Sequence, residues 1–90
     1  MPTGTVRVLL FARYAELLGR NEIAVATVVP TTVREIVRRV RTECTGGAAI
    51  PERPLAAVNL HHASFDAAVT DGDEVALLPP LAGGRGDGDG

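Results

Sequence analysis

The sequence is poor in residue types that many binding and catalytic proteins depend on. It contains no tryptophan and no lysine, one cysteine (Cys44), and three aromatic residues, Phe11, Tyr14 and Phe65. Three rings are too few for a surface that stacks nucleic-acid bases, and a net charge of -2 also argues against nucleic acid as a partner. All nine basic residues are arginine, so the chain has no ε-amine for an isopeptide bond. A lone cysteine excludes an internal disulfide and fits a reducing cytosol.

Membrane segments and metal sites also lack support in the sequence. The apolar run Val6–Ala12 is interrupted by Arg7 and is far shorter than the roughly 20 residues of a membrane span. Without a charged leader and cleavage site, the expected location is the cytoplasm, with no membrane partner. His61 and His62 are adjacent, and no cysteine or carboxylate cluster completes a metal site around them, so no metal and no bound cofactor are predicted.

Apolar periodicity predicts four strands and one main helix in a single small domain. The predicted strands are 5–11, 22–29, 55–60 and 74–78, with a short helical turn at 12–18 and a loop at 45–54. The first strand is expected to be central because both of its faces are largely apolar. Its two-residue period places Val6, Val8 and Leu10 on one face and Arg7, Leu9 and Phe11 on the other.

The main helix is the best-defined element. Thr32 followed by Glu35 forms a capping box, and an apolar stripe comprises Val33, Ile36, Val37 and Val40. The outer side carries Arg34, Arg38, Arg39 and Arg41. We expect Glu35 and Arg39 to form an i, i+4 pair and the charge run to be a solvated helix surface. A basic docking site for a nucleotide-binding partner is the alternative, and the sequence gives it no support.

These elements, in the order strand, strand, helix, strand, strand, predict an α+β fold. A mixed sheet covered on one face by one main helix is a β-grasp, ubiquitin-like roll, which we assign to residues 1–84. The alternating glycines of residues 85–90 predict a disordered extension.

The segment 79–84 is predicted to be an arm that extends from the last strand. Pro79 and Pro80 end that strand, and Gly83 and Gly84 form a thin, adaptable tip. Six extended residues span about 20 Å, enough to reach a catalytic centre inside a partner. The arm therefore indicates a carrier whose chemistry takes place on a carbonyl. However, Gly84 is joined to Arg85 and has no free carboxylate.

Several motifs resemble the MoaD family, the small subunits of molybdopterin synthase, over essentially Val6 to Gly84. The matching segments are Val6–Gly19, Ala57–Asn59, Ser64–Asp66, Thr70–Ala76 and Pro79–Gly84. The resemblance implies a carrier that is not itself an enzyme. An adenylating enzyme of the ubiquitin-activating type would use ATP and Mg²⁺ on the Gly84 carboxylate, and sulfur transfer would then give a thiocarboxylate for molybdopterin biosynthesis.

The resemblance also implies a docking surface for a MoaE-like large synthase subunit. By motif match it comprises Phe11, His62 and Leu78, with Leu9 nearby, and the arm residues Pro79, Pro80, Leu81, Ala82, Gly83 and Gly84. Ordinary packing is the alternative explanation for Phe11 and Leu78.

Two other functions stay open at this point. Related carriers serve thiazole, cysteine or sulfur-containing natural products, and some have residues after Gly-Gly that a metalloprotease removes, as 85–90 would have to be removed here. The second open function is that of a ubiquitin-like interaction or modifier protein that never transfers sulfur.

Overall fold

A computed structural model describes residues 2–80. Its strands are β1 (Thr3–Leu10), β2 (Glu22–Val28), β3 (Thr31–Thr32), β4 (Leu55–Val58), β5 (His61–His62), β6 (Ala68–Val69) and β7 (Glu74–Leu78). Its helices are α1 (Arg13–Leu18), α2 (Val33–Glu43) and a 3₁₀ helix at Gly47–Ala49. The arm tip and the 85–90 extension lie outside the described residues.

Five strands form one mixed sheet, in the order β2-β1-β7-β4-β5. β1 and β7 are parallel, whereas the other neighbouring pairs are antiparallel. β3 and β6 form a separate two-stranded pair. This sheet, with α2 packed on one face, confirms the predicted α+β β-grasp fold and the interior position of the first strand.

The core lies between the sheet and α2. Val6, Val8 and Leu10 of β1 are at most 3% exposed, and the α2 stripe of Val33, Ile36, Val37 and Val40 is at most 1% exposed. The predicted apolar face of β1 and the predicted apolar face of α2 are therefore both confirmed as buried. β7 contributes Val75 and Leu77 to the same core, and by alternation its Glu74, Ala76 and Leu78 lie on the opposite face, here called the outer face of the sheet.

Helix α2 begins with the predicted cap, since the Thr32 hydroxyl accepts a hydrogen bond from the Glu35 amide at 3.2 Å. The predicted Glu35–Arg39 pair is wrong. Glu35 pairs with Arg38, which lowers the pKa of the Glu35 carboxyl, and Arg39 pairs with Glu43 at 2.6 Å. The Arg39 guanidinium also donates to the Ala26 carbonyl at 3.1 Å, which draws this side chain toward β2.

The remaining arginines of the predicted helix surface also have acidic partners. Arg34 pairs with Asp66 at 2.7 Å, and Arg41 lies 3.9 Å from Glu52. The charge run is thus a set of ion pairs on an exposed helix surface, as expected.

Several segments differ from the predicted elements, and the short strands β3 and β6 were not predicted. The third strand ends at Val58 instead of residue 60, because Asn59 and Leu60 both adopt left-handed backbone conformations and form a tight turn. His61 and His62 then pair with β4 as a short fifth strand of the sheet. Within the 45–54 loop, the buried Gly47 packs so closely on α2 that an added Cβ would lie 2.1 Å from the Val40 carbonyl oxygen.

No helix within residues 2–80 is both long and apolar enough to cross a membrane.

Candidate functional site

The predicted docking residues that the structure describes meet at one end of the sheet. Phe11 follows β1, Leu78 ends β7, and His62 lies in β5. Together with Ala12, Leu55, Pro79 and Pro80 they line a concavity of about 420 Å³. Five residues chosen from sequence motifs, Phe11, His62, Leu78, Pro79 and Pro80, therefore share one surface feature, here called the apolar concavity.

Side-chain exposure distinguishes this surface from the core. Phe11 is 44% exposed and lies outside the buried cluster. Ordinary core packing therefore does not account for Phe11. Leu78 is half-buried, so it both supports the sheet end and presents part of its side chain to the concavity. Whether these side chains bind a partner stays a prediction.

Leu55 is a lining residue that sequence reasoning missed. It is directly opposite Leu78 in the antiparallel β4–β7 pair and is 45% exposed. Its place at the start of a predicted strand was visible in the sequence. Its position beside Leu78 was not, because that required knowing which strands pair and in which register.

A path of small side chains leads from the apolar concavity across the outer face. The cross-strand register joins Leu9 to Ala76, Ala76 to Ala57, and Ala57 to His62. Leu9 therefore lies on the same face as Leu78 and His62, as predicted. The two central alanines, Ala76 and Ala57, leave the middle of this path flat.

The other end of the outer face is charged. Arg7 forms an ion pair with Glu74 and lies 3.8 Å from Glu22. Because Arg7 pairs with Glu74 across the β1–β7 ladder, the charged end and the apolar end are separated along the strands. A partner can therefore find both an apolar anchor and a polar border on one face.

Hydrogen bonds around Asp73 fix the geometry of the β5 hairpin and of β7. The Asp73 carboxylate accepts from the Thr70 amide at 2.8 Å and from the Asn59 side-chain amide at 3.1 Å. These bonds, the Thr70 one foremost, hold the pKa of Asp73 below its usual range. The Asn59 side-chain oxygen Oδ1 in turn accepts from the Glu74 amide at 3.0 Å. Asn59 thereby ties the hairpin that carries His62 to the strand that leads to the arm.

β7 ends at Leu78, immediately before the two prolines, as predicted. Pro79 is half-buried and Pro80 is exposed, so the chain leaves the sheet at the rim of the apolar concavity. Leu81, Ala82, Gly83 and Gly84 lie outside the described residues, and their roles stay predictions.

The described part of the chain contains no group of three or more His, Cys, Asp or Glu side chains placed to hold a metal ion. Cys44, the lone thiol, is half-buried against the core.

The chain is similar to a known protein family and to a known protein of that kind. The model of the ThiS family matches residues 8–84. The molybdopterin synthase sulfur carrier subunit of Escherichia coli (strain K12) is 41% identical over 81 residues, covering 88% of this chain and 99% of that protein.

Solved structures share the fold. SAMP1 from Haloferax volcanii has a TM-score of 0.77 and 25% identity, covering 90% of this chain and 100% of that chain. A protein–protein complex of subunits 1 and 2 of the molybdopterin-converting factor from Helicobacter pylori 26695 includes a chain with a TM-score of 0.61 and 22% identity, covering 89% of this chain and 99% of that chain.

Proposed function

The chain belongs to the ThiS family, and from that membership we propose that it is a sulfur carrier protein for molybdopterin biosynthesis. The similar E. coli protein is the sulfur carrier subunit of molybdopterin synthase. The observation that carries the proposal is that the family match runs through the arm and ends at Gly84, the residue whose carbonyl would carry the sulfur.

The proposed chemistry takes place on the Gly84 carboxyl group. A carboxylate resists nucleophiles because it is an anion with a poor leaving oxygen. An adenylating partner that uses ATP and Mg²⁺ would let this carboxylate attack the α-phosphorus of ATP, releasing pyrophosphate and leaving an acyl-adenylate. A sulfur nucleophile at the hydrosulfide level then forms the C–S bond as AMP leaves. The resulting thiocarboxylate is itself a sulfur nucleophile at neutral pH.

Gly84 must first become the terminal residue. In the sequence it is joined to Arg85 by a peptide bond, and residues 85–90 lie beyond the family match. We propose that a protease, of the metalloprotease class, removes these six residues before adenylation. The cytoplasm, which supplies ATP, is the compartment that we propose for this cycle.

The apolar concavity is the proposed docking site for a large synthase subunit. Phe11 and Leu55 each leave nearly half of their surface exposed, and the arm leaves the domain at the same rim. Burying these side chains would supply roughly 1 kcal/mol or more each. Docking there would also hold the base of the arm against the partner, so that its tip enters the partner's active site.

The test compares three lengths of the same chain in an adenylation assay. With the cognate adenylating enzyme and ATP, the chain ending at Gly84 is expected to support pyrophosphate release, whereas the 90-residue chain is not. A chain ending at Gly83 is the matched control and should also be inactive. Intact-mass analysis of protein from its host should show cleavage after Gly84 and an oxygen-to-sulfur exchange. A functional sulfur-delivery assay in which residues 85–90 are retained throughout would refute the proposal.

A modifier protein is the second candidate, because the fold and 25% of aligned residues are shared with SAMP1, a small archaeal modifier protein. In that case Gly84 would be found in amide linkage to lysines of other proteins. The same intact-mass experiment separates the two, since conjugates on other proteins, without any thiocarboxylate form, would favour the modifier. A carrier for a different sulfur pathway is favoured by the extension after Gly84, and it would give the thiocarboxylate without supporting molybdopterin formation.

A further inference from the structure

The five-stranded sheet has one long open edge. β2 is the outermost strand on one side and has seven residues, whereas β5 on the other side has only two. An edge strand presents backbone N–H and C=O groups that can pair with another chain. β2 is therefore the place in this fold with the greatest capacity for adding a strand.

The hydrogen-bond pattern identifies which β2 groups face outward. Leu10 donates to the Asn21 carbonyl at 2.8 Å, and Val29 donates to the Pro2 carbonyl at 3.1 Å. In an antiparallel pair, hydrogen-bonded and non-hydrogen-bonded positions alternate. Residues 21, 23, 25, 27 and 29 are thus bonded to β1. The N–H and C=O groups of the intervening residues point away from the sheet; these residues are Glu22, Ala24, Ala26 and Val28.

Little in the described part of the chain protects these outward groups. The Arg39 guanidinium donates to the Ala26 carbonyl, and the Thr27 hydroxyl lies 3.4 Å from the Val28 carbonyl. Residues 22–28 contain no proline and no basic residue, which are common means of blocking an edge strand. The four outward amides have no hydrogen-bond acceptor within residues 2–80.

We propose that β2 pairs antiparallel with β2 of a second copy of this chain, around a two-fold axis that lies between Ala24 and Ala26. In this register Ala24 faces Ala26 of the partner copy, and Glu22 faces Val28. The four outward amides of each copy then gain carbonyl acceptors on the other copy, and the Ala26 carbonyl, which already accepts from Arg39, uses its second lone pair. Side chains project from the two faces of the sheet, so the side chains of the outward residues do not stand between the paired backbones.

The charge distribution beside the edge favours a second copy over an acidic or basic peptide. A groove of about 850 Å³ runs between β2 and α2, and its charged lining residues are Glu35, Arg38, Arg39 and Glu43. Two acidic and two basic groups give a balanced rim. Glu35 is already paired with Arg38, and Arg39 with Glu43, so the rim has no net charge. A highly charged peptide gains nothing from such a rim, whereas a second copy brings an equally neutral rim and no repulsion.

This pairing is independent of the proposed carrier function. The apolar concavity lies toward the β4–β5 side of the sheet, and the paired edge is on the opposite side. Both copies would keep an accessible concavity and arm. The two-fold axis points the C-terminal ends of the two β7 strands in opposite directions.

Sedimentation of the full chain over a wide concentration range tests the proposal. We expect a reversible monomer–dimer equilibrium. The variant Ala24→Pro removes an outward N–H that makes no bond within the fold, and it should weaken the dimer by roughly tenfold or more. Ala24→Ser keeps the N–H at nearly the same size and is the matched control, expected to dimerise as the wild type does. Far-UV circular dichroism establishes that each variant is folded.

Amide hydrogen exchange of the wild type gives a readout that needs no variant. On dilution, the amides of Ala24 and Ala26 should lose protection, while those of Ile23 and Val25, bonded to β1, should keep it. Wild-type protein that stays monomeric at every concentration, with fast exchange at both alanines, overturns the proposal. So does a folded Ala24→Pro variant that dimerises as tightly as the wild type.

Discussion

Replacing Asn59 by alanine is expected to loosen the hairpin that carries His62. The Asn59 side chain donates to Asp73 at 3.1 Å and accepts from the Glu74 amide at 3.0 Å, and its backbone has a φ of 50°. Alanine keeps neither bond and tolerates a left-handed backbone less well than asparagine does. The substitution therefore removes two contacts and adds strain at the same position.

The size of the effect follows from these three contributions. Each lost hydrogen bond contributes about 1 kcal/mol, and the added backbone strain about 1 kcal/mol more. The free energy of unfolding should thus fall by about 2–3 kcal/mol. In a domain of this size, that corresponds to a decrease in Tm of roughly 10–20 °C.

Urea unfolding followed by far-UV circular dichroism measures this change. Leu60, next to Asn59 in the same turn, provides a control of opposite sign. It has a φ of 73° and is 85% exposed, so Leu60→Gly relieves a strained backbone without losing buried surface. That variant should be neutral or more stable by up to about 1 kcal/mol. An Asn59→Ala variant within about 0.5 kcal/mol of the wild type would refute the role assigned to this side chain.

Three other predictions concern the loop, the site and pH. Gly47→Ala should destabilise the fold by about 2 kcal/mol or more, because its Cβ would meet the Val40 carbonyl oxygen; an unchanged Tm contradicts this close packing. Phe11→Ala should weaken binding to a large synthase subunit at least about tenfold, measured by calorimetry, with little loss of stability in thermal melting. Undiminished binding would show that Phe11 is not part of the docking site. Folding lowers the pKa of Asp73, so the ionised carboxylate stabilises the fold above its unfolded pKa, and this stabilisation is lost as the pH falls through the folded pKa. Acidification should therefore destabilise the wild type more steeply than the Asp73→Asn variant. Parallel pH profiles of the free energy of unfolding would contradict this prediction.

Local signals account for the elements that were predicted well. Thr32 and Glu35 set the start of α2 within four residues of sequence, and the buried stripe follows the helical period. The end of β7 was located to the residue because Pro79 directly follows its apolar run. Phe11 was placed outside the core by strand alternation alone.

The structure differs from the prediction where a conformation depends on residues distant in sequence or on competing ion-pair partners. Glu35 had arginines at both i+3 and i+4, and Arg39 was drawn away by Glu43 and by a carbonyl of β2. The predicted third strand ran through Asn59 and Leu60, because a leucine in a left-handed conformation gives no signal in the sequence, and the β5 strand was missed. Leu55 entered the site only through its pairing with Leu78.

The parallel pairing of β1 with β7 has a mechanical consequence. β1 opens the chain and β7 leads directly into the arm, and β7 is also held on its other side by β4. Tension between the start of β1 and the end of β7 loads both ladders in shear, so many backbone bonds must break together before either strand slides. If the proposed adenylating partner pulls on the chain beyond Pro80, the paired strands behind it are therefore arranged to resist that force.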